Sequence, residues 1–225
     1  MIRDAETKTW TRPRQLTFLG LLAIQFAVAW WIGTEELLTF DGTTPFPPIA
    51  VTAVVPVLLF FAAYALFPGF RDFVVAQDMK ALTAIQLWRV VGFTMLGVYA
   101  FDGLPALFAL PAGLGDVAVG LLAIVVLARV VRDPAFATSS AMVRFQWFGL
   151  ADFAVAVGTA TLAAGMFPAL IPGGVTSGAM DVWPLNLFPS FGVPFFIIVH
   201  ATALLKIRDL RRRAHAGYVA GLATA

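Results

Sequence analysis

Long apolar runs alternate along this 225-residue chain with short breaks rich in proline, glycine and acidic residues. Six apolar stretches stand out, at about 15–33, 49–67, 83–101, 111–131, 145–165 and 189–206. Each is near the roughly 20 residues that carry a helix across about 30 Å of hydrocarbon. Between them, Gly42-Thr43-Thr44-Pro45-Phe46-Pro47-Pro48, Pro68-Gly69 and Asp102-Gly103-Leu104-Pro105 interrupt helical continuation, because proline has no N–H to donate and its ring crowds the preceding turn. The pattern predicts an all-α integral membrane protein, a bundle of six transmembrane helices forming one domain over residues 1–225. Residues 104–131 exceed the length of one span and contain Pro111, so a short half-helix near 104–110 is expected ahead of the fourth span.

Composition strengthens this picture. Hydrophobic residues make up 60% of the chain, charged residues 12%, and mean hydropathy is +0.87, which excludes a soluble enzyme, a nucleic-acid binder and a disordered chain. The absence of cysteine excludes disulfides, thiol nucleophiles, iron–sulfur clusters and cysteine zinc sites. With His200 and His215 the only histidines, and the latter in a charged tail, a bis-histidine haem within the membrane cannot be built. No cofactor and no metal site are expected.

The net charge of +2 acquires meaning from its distribution. All but one of the 15 Lys and Arg residues fall before the first span, around Arg71–Lys80, at Arg129, Arg132 and Arg144, and in Lys206–Arg213, whereas the intervening segments 34–48, 102–105 and 167–184 carry none. Six alternating spans put all the basic segments on one side, and the positive-inside rule makes both termini cytoplasmic. Ala27-Val28-Ala29 has the small-x-small form of a signal cleavage site, but the apolar stretch is long for a signal and Trp30-Trp31 follows as an interfacial pair, so the first span is expected to be retained. Twelve Arg against three Lys, with abundant Ala and Gly, point to a bacterial plasma membrane. The cluster Lys206–Arg213 favours anionic lipid headgroups, at about 1 kcal/mol per basic residue. A homo-oligomer or a partner subunit remains open.

The polar residues inside the apolar stretches carry the candidate chemistry. Arg89, Asp116, Asp152 and His200 each cost several kcal/mol in hydrocarbon unless partnered, and so mark a substrate- or proton-binding path, with Gln86 in support. Counting ~1.5 Å per residue from the nearest basic residue puts Arg89 ~13 Å, Asp152 ~12 Å and His200 ~9 Å deep, with Asp116 ~20 Å from Arg129 and so nearer the outer side. Asp116 shares a stripe with Ala112 and Gly120, and Asp152 with Ala156, Ala160 and Ala164, so both acids are expected on close-packed inward faces. Gln86 and Arg89 share a face of the third span. His200 stands on an otherwise apolar stripe. The expected function is transport or conduction of a small solute or protons, with a structural ion-pair lock in a non-catalytic subunit or scaffold as one alternative.

Gly113-Leu114-Gly115-Asp116 resembles the G-x-G-D signature of intramembrane aspartyl proteases, the presenilin-like and prepilin-peptidase-like families. The resemblance covers four residues. It implies an aspartyl dyad of Asp116 with Asp152, in which one acid is protonated while the other activates water. Tyr99 and Asp102 do not form the Tyr-Asp pair of the preceding helix, and Val117-Ala118-Val119 replaces the lysine that follows the motif in prepilin peptidases.

Overall fold

The computed structural model describes residues 12–171 and 174–223. Among these the chain is all-helical, with no strand. The helices are α1 (Arg12–Thr34), α2 (Ala50–Leu66), α3 (Pro68–Val75), α4 (Met79–Ile85), α5 (Phe93–Ala100), α6 (Ala106–Arg132), α7 (Ser140–Leu162) and α8 (Val193–Ala223). A 3₁₀ segment, Gln86–Gly92, joins α4 to α5 in one continuous span, and a π turn, Phe188–Gly192, leads into α8.

Four helical stretches are long and apolar enough to cross a membrane: Leu16–Thr34, Met79–Ala100, Ala106–Arg132 and Phe188–Ala216. The pair α2 and α3, bent by 110°, makes a fifth if it is one broken span. The bend follows from Pro68, which opens α3 and holds Phe67 extended at φ −113° and ψ 105°. Arg71 then donates to the carbonyls of Tyr64 and Ala65, satisfying the end of α2 at 3.3 and 3.1 Å. The expected fifth stretch, 145–165, lies largely in α7, where Arg144, Gln146 and Asp152 dilute the apolar pattern. By length and apolarity the count of spans is therefore four or five.

The half-helix expected near 104–110 is not separate. Pro111 lies within the first two turns of α6, where its missing N–H removes a single helical bond, so the helix runs unbroken from Ala106. Side-chain caps define other starts: Asp78 accepts from the Lys80 amide at 2.9 Å and Ser139 from the Met142 amide at 3.1 Å.

Two apolar layers divide the interior. One gathers Met95, Leu104, Phe108, Ala112, Ala163 and Met180, and the other Met79, Val119, Ala123, Met142, Phe145 and Val199. Asp116 on α6 and Asp152 on α7 fall between the two layers in both helices. Large apolar residues such as Leu19, Leu58, Trp88 and Leu121 point outward, as a hydrocarbon-facing surface requires.

α1 is tied to the rest through the segment before α8. Asn186, fully buried, donates to the Ala29 carbonyl at 2.6 Å, the Trp183 amide donates to the Gly33 carbonyl at 3.2 Å, and the Trp30 and Trp183 rings meet at 4.9 Å. A Cβ at Gly33 would overlap the Asn186 amide. Gly33→Ala is expected to lower the thermal midpoint, at a cost of about 1–3 kcal/mol. Adding Asn186→Ala should recover part of that loss, which a double-mutant cycle followed by thermal unfolding measures.

Candidate functional site

The site begins with the 3₁₀ segment. At three residues per turn, side chains three apart stand in line, so Gln86, Arg89 and Gly92 all face inward and all are buried. Close approach to α6 depends on glycine: a Cβ at Gly92 would collide with the Asp116 side chain, and one at Gly120 would press on Val90 and the Arg89 backbone.

Arg89 is completely buried, and its guanidinium is the hub. Nε donates to Asp116 Oδ1 at 2.7 Å, and Nη2 donates to Asp152 Oδ2. One edge of the fork thus takes one oxygen from each carboxylate. Nη1 donates to the Gly149 carbonyl at 3.2 Å and lies 3.1 Å from His200 Nε2. The Phe153 ring covers the group, with Cζ 3.9 Å from the ring centre.

Donor chemistry then assigns the histidine tautomer. A guanidinium only donates, so His200 Nε2 must be the accepting, unprotonated nitrogen, and the imidazole is neutral. Its Nδ1–H donates to Gln146 Oε1 at 2.6 Å, and Gln146 Nε2 in turn donates to Met142 Sδ at 3.1 Å. A Cβ at Gly149 would overlap the His200 ring, so glycine there permits both the imidazole and the carbonyl contact. With both carboxylates ionised, the cluster holds two negative charges against one positive.

Arg89, Asp116, Asp152 and His200 therefore lie together in one constellation. Gln86 is buried beside it on the same 3₁₀ line, yet neither its Oε1 nor its Nε2 has a hydrogen-bond partner among the described residues. The depth offset expected for Asp116 is corrected: both carboxylates meet the same guanidinium. The nearest basic residue therefore does not mark a common depth on α6 and α7.

Sequence reasoning passed over Gln146, Gly149 and Phe153, which fall at helical spacing on one face of α7 close to Asp152; a lone glutamine in an apolar span was the available signal. It also passed over Asp181, which belongs to no span.

Asp116 and Phe153 border two cavities. One, of about 70 Å³, runs from Asp116 towards Ser177, Met180 and Asp181 in the α7–α8 connection and Ile49 before α2. The other, of about 480 Å³, opens on the side of the bundle between the 3₁₀ segment and the π turn, with Trp88, Phe191, Phe195 and Phe196 in its walls. The α7–α8 connection is thus folded into the mouth above Asp116: Ser177 donates to the Ala160 carbonyl at 2.8 Å, and Asp181 accepts the Phe40 amide at 3.0 Å. Burial pushes the Asp181 carboxyl above its ordinary range, and the Phe40 N–H draws it partly back.

Among the described residues, no group of three or more His, Asp or Glu side chains is arranged to hold a metal ion. The family described as Domain of unknown function (DUF8737) matches residues 46–208, which contain the whole constellation and both cavities. No curated protein and no solved structure matches the chain.

Arg89→Leu is expected to cost about 3–5 kcal/mol, because it leaves two buried carboxylates without their counter-charge. Asp116→Asn with Asp152→Asn in the same chain should restore much of the thermal midpoint. For Asp181, a raised folded-state pKa means a stabilising contribution that is complete below the unfolded-state value and lost as pH rises through the folded-state value. Asp181→Asn keeps an acceptor for Phe40 and removes the ionisation. Its thermal midpoint should match the parent at about pH 3.5 and exceed it at about pH 7.

Proposed function

The chain belongs to this family of unknown function, and from the geometry of its buried cluster we propose that it is a membrane transporter or channel for a small solute or protons, with Asp116 as the binding carboxylate. The observation that carries the reading is that Asp116 is bonded to Arg89 through one oxygen while bordering two cavities. Such a carboxylate can exchange its arginine partner for a cargo or a proton. Asp152, neutral His200 and Gln86 surround the exchange, and Asp181 stands at the far end of the smaller cavity.

The backbone supports movement at this point. The side cavity lies between a 3₁₀ stretch within a span and a π turn at the head of another, and both are departures from α-geometry that frequently mark hinges and functional sites. Shifts in either segment would change which cavity reaches Asp116. In this reading α7 is the fifth of six spans, and both termini lie on the cytoplasmic side of a bacterial plasma membrane, where the basic end of α8 meets anionic headgroups.

An aspartyl protease fits less well. Its dyad must share a proton and a water between the two acids, whereas here Arg89 stands between them and takes an oxygen of each. A scaffold requires the ion pairs and leaves the cavities without a role.

The test is flux into liposomes containing the purified chain, followed with an internal pH dye under an imposed gradient. Asp116→Asn and Asp152→Asn are each expected to reduce flux at least tenfold while helical content and elution volume stay unchanged. Full flux in both variants would overturn the reading; loss of cleavage of a single-span peptide by both would establish the protease instead.

A further inference from the structure

Resting on the transport reading, the geometry points to a hydrophobic organic cation, an amine or a quaternary onium, as the ligand of the side cavity, held by Asp116 against aromatic walls. Three observations converge on this chemistry.

First, two carboxylates share a single cationic side chain. Arg89 is shared by two carboxylates, and His200 accepts from Arg89 and so is neutral. Asp116 Oδ2 receives no hydrogen bond among the described residues, although Asp116 is only 8% exposed. A carboxylate oxygen without a donor, on a residue that borders two cavities, attracts a cation or a proton.

Second, the walls match a cation that carries its own apolar surface. Trp88, Phe153, Phe188, Phe191, Phe195 and Phe196 contribute rings, whose faces attract onium charge, and among the described residues Asp116 is the only charged one in the lining. The cavity, of about 480 Å³, lies within the roughly 300–1,000 Å³ range of small-molecule sites. A small inorganic ion would find too few oxygens there to replace its water.

Third, the opening suits a ligand dissolved in the bilayer. Trp88 and Val91 form the rim and are 75% and 43% exposed on the flank of the bundle, so a lipid-soluble cation reaches Asp116 sideways. An anion of the same shape would meet Asp116 and no cationic side chain among the described residues of the lining.

The probe is tetraphenylphosphonium, with tetraphenylborate as its anionic counterpart of equal shape, added to the full chain in detergent micelles. Saturable binding of the phosphonium is expected, with a change in tryptophan fluorescence and no competition from the borate. Asp116→Asn should weaken binding at least tenfold. Trp88→Leu, at an outward position that leaves the ion pairs intact, should weaken it several-fold and abolish most of the fluorescence change, so the test does not depend on the folding of one variant. Absence of saturable phosphonium binding, equal binding of the borate, or an unchanged affinity in both variants would overturn the inference. Asp116-dependent proton flux in liposomes without phosphonium binding would remove the ligand class alone; loss of both would remove the transport reading as well.

Discussion

A guanidinium buried between apolar layers is the constraint on which the rest of this structure depends. Arg89 is wholly buried and a guanidinium only donates, so its N–H groups must find acceptors inside the bundle. Asp116 on α6, Asp152 and the Gly149 carbonyl on α7, and His200 on α8 supply them. One side chain therefore fixes the mutual height and rotation of four helical segments. The requirement extends outward: His200 can accept from Arg89 only while Gln146 takes its Nδ1 proton.

Close approach makes this possible. Membrane helices gain little from the hydrophobic effect when they associate, so they rely on van der Waals contact and polar bonds, both of which need short separations. Gly92, Gly115, Gly120 and Gly149 each stand where a Cβ would strike the cluster or its backbone. The 3₁₀ winding of Gln86–Gly92 aligns Gln86, Arg89 and Gly92 on one face, an alignment that α-winding would spread over a wider arc. Apolar layers on both sides keep the dielectric low, which strengthens the ion pairs and makes any unpaired group costly.

The polar layer is accessible in spite of this sealing. The α7–α8 connection reaches the smaller cavity through Ser177, Met180 and Asp181, and its Asp181 is stitched to the α1–α2 connection through the Phe40 amide. On the flank, aromatic rings line the larger cavity without filling it. A carboxylate bonded on one side and bordered by open volume on the other has an alternative to its arginine, and that is the physical basis of the functional reading.

The sequence by itself determined the helical class, the membrane-spanning character of most apolar stretches, and which residues are too polar for their surroundings. Those properties follow from local periodicity and from transfer energies that each residue carries wherever it sits. It also put Arg89 with Gln86, and Asp116 and Asp152 on small-residue stripes, because helical spacing alone decides which residues share a face. Only the tertiary structure decided that one guanidinium serves both acids, that His200 joins them through Gln146, and that Asp181 lines a cavity leading to Asp116. Each of these depends on the relative height and rotation of helices distant in sequence, which no local pattern encodes. The continuous path of α6 through Pro111 was decided there too, since proline near a helix start breaks too few bonds to end a helix that its neighbours hold in place.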